Sequence, residues 1–292
     1  MGFTGKTPDT RHRRARRRDA RALVATDRAA MGALLFPGQP VYCRCMSLAG
    51  ELRKLANRLD VPGFAEARRQ RVPLELYRFF DRVKKLSDIR TVLDVGANTG
   101  EFARWVARCF PTATIHAFEP LTVCQSSLQQ IATAHSQVQV HPLALGDSTG
   151  TVEMFQNDYA PSSSLLPMEE RHKELWPKTV NARKISVPLD TLDNMAVRLA
   201  LHGPAFLKLD VQGFELHVLR GATNTLRATD VVMSEVLFEN LYAGQADFRT
   251  LANFLAGHGF RFLEFADERR LPPLGRLVYA DAVFVKEGLK FS

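Results

Sequence analysis

The sequence contains few cysteines, and their spacing excludes two kinds of small structural framework. Only four are present among 292 residues, at positions 43, 45, 109 and 124. The first two form a single Cys-x-Cys and the other two stand alone, so neither a disulfide framework nor the Cys-x-x-Cys spacing of a zinc site is present. Such cysteine usage is typical of a reducing compartment, and we expect a cytoplasmic protein.

Long apolar runs are also missing. The apolar stretch from Met31 to Phe36 is too short to cross a membrane and ends at Pro37. The sequence therefore predicts neither a transmembrane helix nor a secretory signal. With 46% hydrophobic residues, the chain can still bury one good-sized core.

Almost all of the net positive charge lies in the amino-terminal segment. Residues 1–45 contain ten Lys and Arg against three Asp, which is +7 of the total net charge of +8. The rest of the chain is nearly neutral and lacks the basic stripe of a nucleic-acid-binding domain. We predict that residues 1–45 form a basic, disordered tail and that Met46, which opens a helix-like pattern, is an alternative start.

A predicted strand–helix–strand unit near residue 91 gives the clearest functional signal. The first strand, Thr91 to Val95, runs into a turn at Gly96 to Gly100, and the second strand is followed by Glu119. This arrangement is typical of nucleoside binding, and a carboxylate at that place can accept hydrogen bonds from both ribose hydroxyls.

The turn differs from that of dinucleotide sites. It reads Asp-x-Gly-Ala-Asn-Thr-Gly from Asp94 to Gly100, and not Gly-x-Gly-x-x-Gly. A carboxylate at the strand end would repel a phosphate and attract an ammonium group. The expected ligand is S-adenosylmethionine, a nucleoside that carries an amino acid and a positive charge.

Strands and helices alternate from residue 91 onward, which predicts an α/β domain over residues 90–292. We expect a doubly wound, mostly parallel, seven-stranded Rossmann-like sheet whose last strand is antiparallel. Residues 46–89 hold two amphipathic patterns, Leu48 to Leu59 and Leu74 to Leu86, and are predicted to form a helical cap over the cofactor edge. Residues 143–190 are predicted to be an inserted strand–loop–strand segment that covers the substrate.

Three acids follow later strands. Asp210 ends the predicted strand 205–210, Glu215 lies on the next turn, and Glu235 ends the predicted strand 230–236. Ligands bind at the carboxyl ends of strands in open α/β sheets, so one acid could act as a general base, or two could hold a divalent cation. The structural alternatives are that Glu215 accepts backbone N–H groups at a helix start and that Glu235 pairs with a basic neighbour. His172, in the insertion, could also reach a substrate.

An ordered set of motifs resembles FkbM-type methyltransferases, a branch of the class I S-adenosylmethionine-dependent enzymes, over about residues 90–287. The motifs are DVGANTG at 94–100, FEP at 118–120, ALGD at 144–147, SSS at 162–164, PLDTL at 188–192, LKLDVQGFELHVLRGA at 207–222, Glu235, Leu241-Tyr242 and DAVFVK at 281–286.

This resemblance implies O-methylation of a hydroxyl on a sugar, glycolipid or natural product. It implies that four residues line the methionine end of the cofactor, that Glu119 contacts the ribose and that Asp147 lies near the adenine. The four are Asp94, Gly96, Asn98 and Gly100. A small-molecule or glycan acceptor is expected, with a divalent cation as an optional second cofactor.

Three alternatives stay open. Transfer to nitrogen or to a carboxylate would use the same turn and ribose contact. A non-catalytic nucleoside-binding scaffold would not need the strand-end acids. An RNA methyltransferase recruited by the Arg-rich tail is a third hypothesis, and the nearly neutral remainder of the chain argues against it.

Overall fold

The computed structural model describes residues 63–290. The predicted tail and the predicted helix from Leu48 to Leu59 lie outside the described residues. The strands are β1 (Thr91–Val95), β2 (Thr114–Phe118), β3 (Val138–His141), β4 (Ala144–Gly146), β5 (Gly150–Asn157), β6 (Ala182–Thr191), β7 (Ala205–Leu209), β8 (Thr229–Leu237), β9 (Phe260–Leu271) and β10 (Arg276–Lys286). The helices are α1 (Phe64–Gln70), α2 (Leu74–Leu86), α3 (Glu101–Cys109), α4 (Thr122–Ala134), α5 (Glu170–Leu175), α6 (Leu192–Arg198), α7 (Glu215–Arg220) and α8 (Phe248–Gly257).

Seven strands form the main sheet, in the order β3-β2-β1-β7-β8-β10-β9. Strands β3, β2, β1, β7 and β8 run parallel, whereas β10 is antiparallel to both β8 and β9. The predicted doubly wound sheet with an antiparallel last strand is confirmed. The chain order reverses between β1 and β7, and the carboxyl ends beside such a switch point are where ligands bind in this class of fold.

Apolar residues alternate along the central strands, so the sheet has a core on each face. On β7, Phe206 belongs to the core beneath α2, α3 and α4, while Leu207 and Leu209 belong to the core beneath α6, α7 and α8. All three side chains are fully buried. Because helices cover both faces of the sheet, the carboxyl ends of the parallel strands form an edge that stays open.

Helix α2 confirms the second of the two predicted cap helices, but its position differs from the prediction. Phe79 and Phe80 of α2 pack edge-on against Phe206, with ring centroids 5.9 and 6.4 Å apart. Phe206 lies in the first half of β7, away from its carboxyl end. Helix α2 therefore covers a face of the sheet, where its aromatic residues are buried in the core. It does not cover the cofactor edge.

The insertion contains a second, smaller sheet in the order β4-β6-β5. Strands β5 and β6 pair antiparallel, which matches the two added strands that the sequence predicts, and β4 is a third strand that the prediction lacks. The segment between β5 and β6 was predicted to be a loop, yet it contains α5 and two 3-10 turns, Ala160–Ser162 and Pro177–Thr179. Its buried polar residues, Ser163, Ser164, His172 and Thr179, are hydrogen bonded.

Two element boundaries shape the rest of the domain. Helix α7 ends at Arg220 and is followed by a 3-10 turn, Thr225–Ala228. Strands β9 and β10 extend toward each other and leave only residues 272–275 between them. The two strands form an antiparallel hairpin, as their short separation requires.

Candidate active site

The turn after β1 lies against the turn after β7. Gly96 has φ of 78°, and a Cβ at this position would lie 1.9 Å from the main-chain oxygen of Asp210. The N–H of Asp210 in turn donates to the oxygen of Val95 at 3.0 Å. Glycine is required at Gly96 because both the left-handed backbone and the neighbouring turn exclude a side chain. Asn98, with φ of 49°, continues the turn.

Gly100 has a different role from Gly96. Its φ is 82°, and a Cβ there would lie 2.6 Å from Cδ1 of Ile131 and 2.8 Å from Cδ2 of Leu128, both on α4. This glycine permits close packing of the start of α3 against α4. It does not line the cavity described below, contrary to the expectation for the methionine end.

Glu119 is held in place by the backbone around it. Its Oε2 accepts the N–H of Asn98 at 2.8 Å, and its Oε1 accepts the N–H of Leu121 at 2.9 Å. The residue is only 5% exposed, and burial raises the pKa of this carboxyl while the two backbone donors oppose that rise. Each oxygen keeps a lone pair, so the carboxylate can accept further hydrogen bonds from a ligand.

Asp94 is paired inside the protein. It lies in register with Lys208 of β7, and the Nζ of Lys208 is 3.4 Å from its Oδ1. Asp94 is fully buried, burial raises its pKa against the opposing Lys208 charge, and neither oxygen accepts a hydrogen bond from the described residues. The ammonium group expected beside Asp94 is therefore a lysine of the chain itself, and Asp94 does not line the cavity.

Lys208 also contacts the acid that follows it. Its Nζ is 3.2 Å from Oδ2 of Asp210 and 3.3 Å from the main-chain oxygen of Gly96, and it lies 5.5 Å from the ring centre of Phe102. Burial lowers the pKa of Lys208, but Asp210 and Asp94 outweigh this and hold it above its ordinary value. The ammonium therefore supplies a fixed positive charge between two carboxylates.

Three carboxyl groups meet where β7 and β8 end beside the middle of β10. Glu235 on β8 lies opposite Asp281 on antiparallel β10, and Asp210 follows β7. Burial raises the pKa of Glu235 well above its ordinary value, and the negative charges of Asp210, Glu215 and Asp281 add to the effect. Burial and Asp210 raise the pKa of Asp281 to about 7. Raised pKa values of this kind are common among the acids of functional sites.

Glu215 is fixed by its own turn. Its Oε1 accepts the N–H groups of Val211 and Gly213 at 3.0 and 3.2 Å. It is 2% exposed and does not line the cavity, and burial raises its pKa to about 7. This is the structural alternative that the sequence left open for Glu215, with the carboxylate satisfying backbone donors ahead of α7.

Gln212 joins the two acids that face the cavity. Its Nε2 donates to Oδ1 of Asp210 at 2.9 Å and to Oε2 of Glu235 at 2.8 Å. Its Oε1 accepts the hydroxyl of Tyr242 at 2.8 Å, and that hydroxyl lies 3.2 Å from Nε2 of His172. Sequence reasoning gave Gln212 no role, and its only signal was a polar side chain in the turn after a strand-end Asp.

One cavity of about 710 Å³ connects these features. Of the predicted site residues, Gly96, Asn98, Glu119, Asp210 and Glu235 line it, while Asp94, Gly100, Asp147 and Glu215 do not. The insertion contributes a whole wall. That wall is formed by Tyr159, Ala160, Pro161, Ser162, Ser163, Leu165, His172, Leu175, Trp176, Pro177, Lys178 and Thr179.

Asp147 does not line the cavity and contacts a side chain behind its lining. Its Oδ2 lies 2.7 Å from Nδ1 of His217, and the His217 ring stacks on Phe214 with centroids 4.2 Å apart. Phe214 lines the cavity beside Leu145. Asp147 was expected near the adenine, and the structure places His217 and Phe214 between its carboxylate and the cavity.

The described part of the chain offers no ready metal site. Within residues 63–290, no group of three or more His, Cys, Asp or Glu side chains could hold a metal ion. Among the helices in the same range, none is long and apolar enough to cross a membrane.

Comparison with known proteins identifies the family. The model of the Methyltransferase FkbM domain matches residues 94–262, which is more than half of the chain. The chain therefore belongs to the FkbM family of S-adenosylmethionine-dependent methyltransferases, and the family predicted from the motifs is confirmed.

Several curated methyltransferases are similar in sequence. Methyltransferase sdnD of Sordaria araneosa is 31% identical over 154 residues, which cover 44% of this chain and 59% of sdnD. Methyltransferase 1 of Beauveria bassiana is 27% identical over 61% of this chain and 75% of its own length. The 2-O-methyltransferase NoeI of Sinorhizobium fredii is 25% identical over 56% of this chain and 70% of its own.

A solved structure is also similar. Methyltransferase FkbM from Methylobacillus flagellatus has 15% sequence identity, with a TM-score of 0.43, over 68% of this chain and 44% of that chain.

Proposed function

We propose that this protein transfers the methyl group of S-adenosylmethionine to a hydroxyl oxygen of a sugar, glycolipid or natural product. The observation that carries the proposal is that one cavity is lined by Gly96, Glu119, Asp210 and Glu235. A methyltransferase must hold a donor and an acceptor side by side, and in this cavity a nucleoside-binding turn lies next to a pair of acids.

The residues around Glu119 fit the adenosine part of the cofactor. Its carboxylate is fixed by two backbone N–H groups and lines the cavity, which suits it to accept the ribose hydroxyls. Beyond it the cavity has an apolar stretch suited to an adenine ring. That stretch consists of Leu121, Leu143, Leu145 and Phe214.

The methionine end would be held by the backbone of the turn at Gly96 and Asn98, which both line the cavity. When bound, the cofactor supplies a methyl group that is already activated by the sulfonium charge. The chain then has two tasks, which are to align the acceptor and to receive its proton. Alignment of two bound reactants can contribute about 7–11 kcal/mol, more than a general base usually does.

Asp210 and Glu235 are the proposed proton acceptors. They line the cavity, and the shared amide of Gln212 holds their oxygens in a common orientation. Asp210 is the more accessible of the two, with 38% of its side chain exposed, and its Oδ2 lies 3.2 Å from the Lys208 ammonium. We therefore assign the base to Asp210 and a supporting role to Glu235.

We further propose that this chemistry proceeds without a divalent cation. Lys208 already places a positive charge between Asp94 and Asp210. A cation bound at Asp210 would lie beside that ammonium and would be repelled by it. The proton acceptor is then a plain carboxylate, the first of the two alternatives that the sequence left open.

The insertion is the proposed acceptor-binding wall. It brings Tyr159 and Trp176 to the cavity. Tyr279 of β10 lines the same cavity. Aromatic side chains suit the apolar face of a sugar or of a natural-product ring. The name of the similar protein NoeI, a 2-O-methyltransferase, supports transfer to oxygen.

We also retain the predicted cytoplasmic location. Within residues 63–290, the two cysteines Cys109 and Cys124 are both free and buried. Free thiols agree with the reducing compartment that the cysteine usage predicts.

The test uses S-adenosylmethionine labelled in its methyl group. The full chain is incubated with polar and lipid extracts of the source cells, and labelled products are separated and identified. Transfer to a hydroxyl yields a methyl ether that survives mild alkali. Release of labelled methanol by mild alkali would show a methyl ester and would contradict O-methylation of a hydroxyl.

A further inference from the structure

We propose that Gln212 is a positioning residue through which the insertion sets the orientation of Asp210 and Glu235. This inference rests on the proposed function, because it concerns the two acids assigned there to the acceptor proton. It adds a role for three residues outside that assignment: Gln212, Tyr242 and His172.

The first step is the orientation of the Gln212 amide. Both N–H groups of Nε2 are used, one on Asp210 at 2.9 Å and one on Glu235 at 2.8 Å. The reverse orientation would place an amide oxygen against two carboxyl groups. Tyr242 opposes that reversal, because its hydroxyl is 2.8 Å from Oε1 and can donate to an oxygen but not to an NH2 group.

The second step is the orientation of the Tyr242 hydroxyl. It has one proton, and the oxygen of Gln212 at 2.8 Å is nearer than the main-chain oxygen of Ser162 at 3.3 Å. When Gln212 takes that proton, His172 at 3.2 Å must donate through Nε2. Nδ1 of His172 then carries no proton, and the Thr179 hydroxyl, 3.1 Å away, has a nearer acceptor in the main-chain oxygen of Trp176 at 2.8 Å.

These bonds run in one direction, from His172 to Tyr242, Gln212 and the two acids. The direction holds only while Tyr242 and His172 are neutral. Burial raises the pKa of Tyr242 and lowers the pKa of His172, so both conditions are met at neutral pH. Tyr242 is 2% exposed and His172 is 3% exposed, so water does not compete for these bonds.

The third step is the link to the insertion. His172 and Thr179 belong to it, and so does Ser164, whose hydroxyl donates to the main-chain oxygen of Gln212 at 2.7 Å. Gln212 itself has φ of 55°, a left-handed conformation that a non-glycine residue keeps only when its surroundings hold it there. The insertion therefore holds Gln212 by its backbone directly and by its side chain through Tyr242.

The consequence is a coupling between the acceptor wall and the proton acceptors. An N–H donor favours the charged form of a carboxyl group, so the Gln212 amide opposes the rise that burial gives the pKa of Glu235. If the insertion shifts, Tyr242 loses its partner, the amide is free to turn, and Glu235 takes up a proton more readily. The two acids therefore keep their orientation only when the insertion is in place over the cavity.

The test is a titration of the two acids in the full chain labelled with ¹³C at the Asp and Glu carboxyl carbons. Signals are assigned by their loss in Asp210→Asn and Glu235→Gln. The variants are Gln212→Met, which keeps the length of the side chain without donors, and Tyr242→Phe. Tyr77→Phe, which changes the same hydroxyl on α2, is the matched control.

Other charges face the pair from every side and remain in each variant. They are Lys208 on β7, Asp281 on β10, Asp267 on β9, Glu215 at the start of α7 and Asp94 on β1. Because these charges are constant, a shift between variants reports the amide and its orientation.

We expect the titration midpoint of Glu235 to rise by about one pH unit in Gln212→Met and by about half a unit in Tyr242→Phe. Tyr77→Phe should titrate as the wild type. A midpoint that stays at its wild-type value in Gln212→Met, or a shift in Gln212→Met with none in Tyr242→Phe, would overturn the proposal. Because Gln212 lies on the cavity wall, we expect Gln212→Met to fold. Its titration midpoint can then be measured even if Tyr242→Phe fails to fold.

Failure of this inference can be separated from failure of the proposed function. An Asp210→Asn protein that still methylates its acceptor would contradict the proposed function, whatever the titration shows. An inactive Asp210→Asn protein with unshifted midpoints in both Gln212→Met and Tyr242→Phe would overturn only the positioning role.

Discussion

Replacement of Glu119 by Gln tests the cofactor end of the cavity. Each oxygen of Glu119 already accepts one backbone N–H, from Asn98 at 2.8 Å and from Leu121 at 2.9 Å. The remaining lone pairs are the ones that we assign to the two ribose hydroxyls. Glu119→Gln keeps the shape of the side chain, removes its charge, and turns one oxygen into a donor that faces another donor.

The expected loss of affinity follows from those contacts. A hydrogen bond to a charged acceptor is worth about 1 kcal/mol more than one to a neutral acceptor, so two ribose bonds lose about 2 kcal/mol. This corresponds to a dissociation constant about 30-fold higher for S-adenosylhomocysteine. The unpaired backbone N–H also costs about 1–3 kcal/mol of folding stability, which lowers the melting temperature by several degrees.

Isothermal titration calorimetry with S-adenosylhomocysteine, well below the melting transition, separates affinity from stability. Glu153→Gln is the matched control, because Glu153 is an exposed residue on β5 that pairs with Lys184 at 2.8 Å. The control should bind as the wild type does. A folded Glu119→Gln protein whose dissociation constant stays within about twofold of the wild type would refute the ribose assignment.

Three further predictions concern the turns and the acids. Gly96→Ala should lower the melting temperature by several degrees, because its Cβ would lie 1.9 Å from the Asp210 oxygen, whereas Gly257→Ala, with nothing within 4 Å, should change it little; equal melting temperatures would contradict the close approach. Burial raises the pKa of Glu215 from 4.5 to about 7, so the folded protein binds a proton that the unfolded chain releases, and stability should fall as pH rises from about 4.5 to about 7. Urea unfolding should show that slope in the wild type and a flatter one in Glu215→Gln; an identical slope in both would refute the buried-acid account. Finally, methyl transfer should be indifferent to EDTA because Lys208 supplies the charge beside Asp210; activity lost to EDTA and restored by Mg²⁺ would show a metal requirement.

The sequence predicts local features of this site better than long-range ones. Gly96 and Glu119 line the cavity, and the sequence singled them out because both depend on one strand–helix–strand unit, whose turn and strand ends are contiguous in the chain. Asp94 was found by the same motif, but its partner was not. Lys208 is more than a hundred residues away, and it meets Asp94 only because β7 pairs with β1 in that register.

The acids show the same limit. Asp210, Glu215 and Glu235 are all placed near strand ends by the sequence, yet only Asp210 and Glu235 line the cavity. The carboxylate of Glu215 instead accepts the N–H of Val211 at 3.0 Å, because the geometry of the turn brings that donor to it. Asp281 was given no site role because it joins the cluster only through the antiparallel pairing of β10 with β8.

The insertion was the hardest part to predict. Its strands β5 and β6 follow from alternating residues, but α5 and the 3-10 turns are short and carry no clear period. The structure of these short elements depends on buried hydrogen bonds such as Asn157 with Thr179 and His172 with Tyr242. These bonds join segments that are far apart in the chain. These contacts also create the cavity wall, which explains why the acceptor side was less predictable than the cofactor side.

The most direct test of the central claim is methyl transfer by Asp210→Asn, with Asp88→Asn as an exposed control. The account predicts that Asp210→Asn loses turnover of labelled S-adenosylmethionine with its acceptor while its affinity for S-adenosylhomocysteine stays within about threefold of the wild type. The control should keep both properties. An Asp210→Asn protein with near-normal kcat would contradict the claim that this cavity positions its proton acceptor at the end of β7.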